Sequence, residues 1–402
     1  MLKQIVVLSI VFVCLCGAAY GETVQWWQFW TDPAVRPTLD SLVAEFEKAN
    51  PDIDVKLTDL TWANGHEKIV IALSSGTGPD ILELGSDWIA QFAAEGHLQP
   101  IGQESLADSS EYIGWSLATY MDTVFARPWI LGTRVVFFNR ELLLRAGYDT
   151  TFVPVTWDQL KEAAYRIDSL GADIYGWGSN TAEKHRLYKK FLPFFWSYGA
   201  QIFSDDGRYC VLSSTAAIDA LRFYKELHDS CGYVGTQRNI EDAFLAGKVG
   251  IILSGDWLLK RIENEQRDID LVTGLFPGRN YPGRSFYGGE YLAINAASQK
   301  AAAANKFIEF LTSPANQVRF CKANRSANPS SKTAQTDPYF VGNVHLQTFI
   351  KQIALANHPP VVPEWVSIEA AIEEAVEDAL YGSGLVAEPL RIARGKIAAL
   401  RQ

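Results

Sequence analysis

"PDILELGSDWIAQFAAEG", residues 79–96, changes its period halfway. Ile81, Leu82 and Leu84 form a short apolar run bounded by "GPD", as a buried strand does. From Ile89 on, apolar residues recur at helical spacing, through Phe92 and Ala93. Ser86 or Asp87 is in position to cap that helix, and Gly96 to end it. A strand that runs straight into a helix is half of a βαβ unit.

The same order extends outward in both directions. Upstream, "TVQWWQFWTDP" (23–33) is strand-forming, with Asp32 as N-cap and Pro33 as first helical residue. Val35, Leu39, Leu42, Val43 and Phe46 follow at helical spacing, then the strand "DIDVKL" and the helix "HEKIVIALSSG". Downstream come the strand "RVVFFN", the helix "RELLLRAG" and a helix opened by a Thr156–Gln159 capping box. "KVGIILS" and "EYLAINAAS" are further strands, each followed by a helix; residues 367–401 are helical with a break at Tyr381–Gly384. The fold class is α/β, with mainly parallel sheets flanked by helices. The two α/β blocks lack a Pro- or Ser-rich linker, so the chain passes between lobes several times.

Length and charge narrow the options. At 402 residues the chain exceeds one ordinary core. A net charge of -10 argues against nucleic acid, whose phosphates require a basic footprint. The first 21 residues, "MLKQIVVLSIVFVCLCGAAYG", carry one Lys and an apolar run from Ile5 to Gly17, too short to span a bilayer comfortably. They read as a cleaved leader, with cleavage after Gly21 and an exported chain, periplasmic or cell-surface. Cys14 and Cys16 lie in that run, and Val13 and Leu15 do not suit a lipid-attachment site. Cys210, Cys231 and Cys321 remain; a Cys210–Cys231 disulfide and three free thiols are both open. The six His have no metal spacing, "GTGPD" is a turn, and no phosphate loop occurs. No metal or cofactor is expected.

Eight stretches in order carry a family resemblance: "WWQFWTDP", "EFEKANPDIDVKL", "ALSSGTGPDILEL", "SDWIAQFAAEGHLQPI", "VVFFNRELLLRAG", "TWDQLKEAA", "AFLAGKVGIILSGDW" and "GGEYLAINAAS". Together they resemble the extracellular solute-binding proteins of ABC sugar importers, the maltose-binding-protein-like group. The resemblance implies the two-lobe periplasmic-binding-protein fold with a multi-crossing hinge. It implies lobe I over residues 22–131 and 291–335, and lobe II over 132–290 with C-terminal helices at 336–402. It also implies a monomer that holds a carbohydrate between its lobes and hands it to membrane permease subunits. Gly132, Gly288 and Gly289 supply backbone freedom at the crossings.

Ligands of such sheets sit beyond the carboxyl ends of strands. Trp30, Thr31 and Asp32 end the first strand there, with Trp62 after the second and Asp87 after the third. Aromatic rings cover the C–H faces of sugars, while carboxylates and Arg bind hydroxyls. The resemblance places a ligand-binding acid at Asp87 and a stacking aromatic at Trp257, with a weaker match at Trp62. Glu290 and Tyr291 stand at a crossing, where relatives often put an aromatic directly after the glycines. Arg127 and Arg134 flank the other crossing, and Arg127 joins the candidates; Trp365 is a further platform. Trp26, Trp27 and Phe29 read as sheet packing, and Asp256 as a cap. Three functions stand side by side: sugar capture without chemistry, capture of a peptide, polyamine or organic anion, and glycoside hydrolysis, which needs two facing carboxylates.

Overall fold

The computed structural model describes residues 21–401 except 182, 280, 281 and 383. The leader lies outside the described residues apart from Gly21. Thirteen strands occur among the described residues: β1 Glu22–Gln28, β2 Ile53–Asp59, β3 Ile81–Gly85, β4 Thr119–Tyr120, β5 Thr123–Val124, β6 Ala126–Thr133, β7 Val135–Asn139, β8 Tyr175–Asn180, β9 Gly232–Gly235, β10 Val249–Ser254, β11 Leu271–Gly274, β12 Tyr287–Ile294 and β13 Asn328–Pro329. They form a six-stranded sheet, β13-β6-β12-β3-β1-β2, a five-stranded sheet, β11-β7-β10-β8-β9, and the β4–β5 hairpin.

Both large sheets are mixed rather than mainly parallel. β1 runs parallel to β2 and β3, and β8 parallel to β9 and β10. β12 is antiparallel to β3 and β6, as β7 is to β10 and β11. The antiparallel strands β6, β7 and β12 are those that carry the chain between sheets. Alternation along β1 sends Val24 and Trp26 into one core and Phe29 into the core on the other face of the first sheet. In β7, Val136 and Phe138 enter one core of the second sheet, Val135 and Phe137 the other.

The first helix begins at Arg36, one turn later than the Asp32-Pro33 signature suggests. Asp32 still organises the turn, accepting from the Ala34 N–H at 2.8 Å. Neither Ser86 nor Asp87 caps the helix Ile89–Ala94. The Thr156–Gln159 capping box is present. Cys210, Cys231 and Cys321 are free thiols, so no Cys210–Cys231 disulfide forms.

The two sheets meet at a three-segment hinge. Thr133 pairs with Tyr287, Gly132 with Gly288 and Leu131 with Gly289. The Thr133 hydroxyl donates to the Phe286 carbonyl and the Ser285 hydroxyl to the Arg134 carbonyl, each at 2.6 Å. Asn357 supplies the third segment: its N–H donates to Ser285 and its carbonyl accepts from Tyr287. β12 already belongs to the first sheet at Tyr287, so the return crossing precedes Glu290 instead of following it. The helix Val344–Leu355 wedges beside this hinge, sending Leu346, Phe349 and Ile353 into three different cores.

A Cβ on Gly289 would lie 2.2 Å from the Ile130 carbonyl oxygen, a backbone atom that cannot swing aside. Gly289→Ala is expected to cost about 2 kcal/mol or more. Gly132→Ala, whose Cβ meets open space, should cost far less. Chemical denaturation of both variants checks this; equal stabilities would overturn the tight-crossing argument.

Candidate functional site

The floor of the cleft between the sheets is built where the hinge strands end. A β-bulge between Glu290 and Tyr291 shifts the register of β12 against β6. Glu290 is left half-buried, while Tyr291 is fully buried in a first-sheet core with its hydroxyl donating to the Gly114 carbonyl at 2.9 Å. From the second sheet, Arg134 lays its guanidinium 4.4 Å above the Trp257 ring and 5.6 Å from that of Phe286. The Trp257 indole N–H donates to Glu241 at 2.7 Å, which fixes the ring. Asp256, 6% exposed, accepts from the Asn328 amide at 2.6 Å, across the cleft.

Burial controls the charges here. Glu290 is pushed up to about 7, chiefly by desolvation and then by the like charge of Asp256; Lys189 and Arg134 oppose the shift. Burial lifts Asp256 to about 6, with Arg134 pulling the other way. Arg134 is lowered to about 10 by burial against the support of Asp256 and Glu290. Glu83, wholly buried in β3, is held well above the usual carboxylate range by burial and by Glu290. One of its oxygens accepts from the Phe29 N–H at 2.9 Å and the other has no partner.

Two sets of polar contacts join the lobes at the sides of this floor. The Tyr188 hydroxyl donates to Asp87 at 3.0 Å, and the Lys189 ammonium stands 3.6 Å from the same carboxylate. On the other side Lys260 donates to Asp32 at 2.5 Å and to Asn324 at 3.2 Å, and Arg325 pairs with Glu263 at 2.9 Å.

The sequence candidates divide accordingly. Glu290, Trp257, Asp87 and Asp32 converge on the cleft. Asp32 is already engaged by Lys260, and that ion pair holds its carboxyl below its ordinary value. Trp30 stands at the rim of a core, edge-on to Trp129 and Phe320, its indole N–H unpartnered. Thr31 beside it is exposed. Trp62, three residues past β2, is 47% exposed, stacks on Phe29 at 4.2 Å and has Trp88 tilted against it at 5.4 Å. Three candidates are spent on structure. Arg127 is buried, donating to Thr312, to the Ser105 carbonyl and to Asp108, with its plane over Tyr112. Tyr291 faces away from the cleft floor into a core. Trp365 is buried behind Tyr188, edge-on at 5.5 Å, so it supports that residue and offers no platform. Sequence reasoning missed Tyr188, Lys189, Glu83 and Asn328, and treated Asp256 as a cap only. Of these, the basic-aromatic segment "HRLYKK" carried a signal.

Two mixed α/β sheets, a three-segment hinge and a polar-aromatic cleft define a two-lobed binding protein. The chain belongs to the bacterial extracellular solute-binding protein family, whose model matches residues 32–318. It is 25% identical over 361 residues to a putative binding protein of Brucella abortus (strain 2308), covering 87% of this chain and 86% of that one. It is 23% identical over 384 residues to the maltotriose-binding protein of Pyrococcus abyssi, covering 90% and 79%. Among solved structures, the sugar-binding protein MalE from Xanthomonas citri superposes with a TM-score of 0.83 at 24% identity, over 94% of this chain and 98% of that one. No helix among the described residues is long and apolar enough to cross a membrane.

Glu290 ionises near 4.5 when unfolded and near 7 in the fold. Between those values the folded state holds the extra proton, so stability falls as pH rises through the window, by on the order of 3 kcal/mol in total. Glu290→Gln keeps the shape and removes the charge. It is expected to melt above the parent at pH 8, with the gap closing toward pH 5. Identical melting curves at pH 8 would refute the desolvated, repelled carboxylate.

Proposed function

We propose that the protein captures a saccharide between its two lobes and presents it to ABC permease subunits, without transforming it. The observation that carries this reading is the Glu290 carboxyl and the Arg134 guanidinium beside the Trp257 ring. A sugar hydroxyl donates and accepts at once, so it can take a bond from Arg134 and give one to a carboxylate. Of the Arg134 donors, Nη1 is engaged by the Thr133 carbonyl at 3.1 Å and Nε is buried without a partner, which leaves Nη2 as the donor for a ligand. The ring faces of Trp257 and Trp62 suit the C–H faces of a pyranose. The maltotriose-binding relative and the Xanthomonas sugar-binding structure support the same ligand class.

Hydrolysis fits this floor poorly. A glycosidase needs one carboxylic acid and one carboxylate poised around a bond. Asp256 is almost sealed from solvent and tied to Asn328. In this reading the lobes are the two sheets with their helices, and the chain works as a monomer. The leader directs export, and a secreted chain beginning at Glu22 on N-terminal sequencing checks the cleavage site.

Micromolar affinity, about -8 kcal/mol, needs only a few hydroxyl bonds and stacked rings beyond the ordering costs. A thermal-shift screen over sugars, amino acids, polyamines and organic anions tests the ligand class: shifts from another class and none from sugars sink it. Trp257→Ala is expected to weaken saccharide binding at least tenfold, about 1.4 kcal/mol, with the circular dichroism spectrum retained. Unchanged affinity by calorimetry removes Trp257 from the site. Specific cleavage products from any oligosaccharide would overturn binding without chemistry.

A further inference from the structure

The contact between the lobes at Asp87 is prepared from far along the chain. Tyr188 and Lys189, which meet Asp87 across the cleft, open the helix Tyr188–Ser197. A helix is commonly capped by a polar side chain just before its first turn. Here the N-cap is Leu187, which makes no cap bond. Glu373, on the helix Trp365–Tyr381, takes that place. One of its oxygens accepts from the Tyr188 N–H at 3.3 Å and the other from the His185 N–H at 3.0 Å. These partners lie 185 and 188 residues away in sequence.

The same helix braces this turn at two more points. Trp365, Glu369 and Glu373 are spaced four apart, which sets them on one stripe. Glu369 bonds the His185 ring, and Trp365 lies edge-on to the Tyr188 ring at 5.5 Å. His185 stands in the left-handed region, at φ 63, where a non-glycine residue stays only when its surroundings fix it. Glu369 and Glu373 are 2% and 7% exposed. Burial raises both carboxyls above their ordinary range, and the bonds they accept pull the other way.

Lys189 is seated in turn over two rings, its ammonium 5.2 Å from that of Tyr188 and 5.5 Å from that of Phe286. The side chains of Lys189 and Asp87 are 22% and 15% exposed, whereas those of Arg325 and Glu263 on the other side of the floor are 45% and 61% exposed. The Asp87 contact is the less screened of the two. We infer that Glu373 is a positioning residue for the joined lobes: by fixing the start of the helix at Tyr188, it sets the phenol and the ammonium where Asp87 of the other lobe meets them. This rests on the capture reading above for its use, because a ligand between the lobes is enclosed by the contacts that join them.

The test is the distance between the lobes in the mature chain without added ligand. Ile71→Cys in the first lobe and Val234→Cys in the second, both exposed, carry spin labels in a Cys210→Ser background. Double electron–electron resonance reads the distance between them. Asp87→Ala removes the target of both Tyr188 and Lys189 and defines the distribution of unjoined lobes. Glu373→Gln keeps the shape but offers one oxygen to two N–H donors. It is expected to shift the parent distribution toward that of Asp87→Ala, with the circular dichroism spectrum retained, and to shift nothing further when added to Asp87→Ala. Lys396→Met frees Glu374 on the exposed side of the same helix and should leave the parent distribution in place. A Glu373→Gln distribution equal to the parent's overturns the inference. A parent distribution equal to that of Asp87→Ala does so too. An equal shift in Lys396→Met assigns the effect to the helix at large and also overturns it. Absence of binding by any saccharide sinks the capture reading and leaves the measured distances as they are.

Discussion

The guanidinium of Arg134 is the constraint around which the cleft is arranged. A buried cation is costly unless compensated. Here compensation comes from three directions: the Trp257 face, and the carboxylates of Asp256 and Glu290. Each compensator is then constrained in turn. Trp257 is pinned through its indole N–H to Glu241. Asp256 is pinned to Asn328 of the other lobe. Glu290 is carried on the strand that returns through the hinge. Because Arg134 follows Thr133 directly, the residue that organises the cleft floor is also the first residue past a hinge strand.

The contacts that close the lobes are mainly polar. Ion pairs such as Asp32–Lys260 and Arg325–Glu263 sit at partly exposed positions, where each contributes about 0–1 kcal/mol. Bonds of this strength add little to the stability of the lobe contact. Differential contacts of a ligand can then decide the equilibrium, as population-shift arithmetic requires. A large apolar interface between the lobes would have locked them. The hinge itself has the opposite character: backbone pairing and short hydroxyl bonds keep its three segments in register.

What was legible in the sequence follows from what decides each feature. Strands and helices were legible because apolar periodicity is set by the face each element buries. The division of Trp26 from Phe29 between two cores is direct strand alternation. Caps were less legible. Asp32 and Asp87 have cap-like spacing, but both carboxylates are drawn to cations of the other lobe, which local sequence does not reveal. The mixed character of the sheets was hidden for the same reason, since antiparallel pairing of β12 depends on a return crossing far along the chain. Tyr291 and Arg127 occupy crossing strands as expected, yet side-chain direction within a strand is set by register. The bulge beside Glu290 decides which of two neighbouring residues meets the cleft.

The floor also shows that the site is not optimised for stability. Arg134 Nε, Glu83 Oε1, Asn328 Oδ1 and the indole nitrogens of Trp30 and Trp129 are buried polar atoms without partners. Each such group carries a penalty of about 1–3 kcal/mol. Unpartnered indole nitrogens also occur at Trp26 and Trp177, deep in the cores, so an unpartnered tryptophan alone identifies nothing. Unpaired cation donors, amide oxygens and carboxylate oxygens occur elsewhere too, at Arg261, Gln237 and Glu369, so the floor is marked by the charges it gathers and not by unpaired atoms. Apolar residues of similar volume would remove the penalty and the repulsion between Glu290 and Asp256. They would also remove the Glu290 carboxyl and the Arg134 guanidinium, whose charges act on one another across the floor.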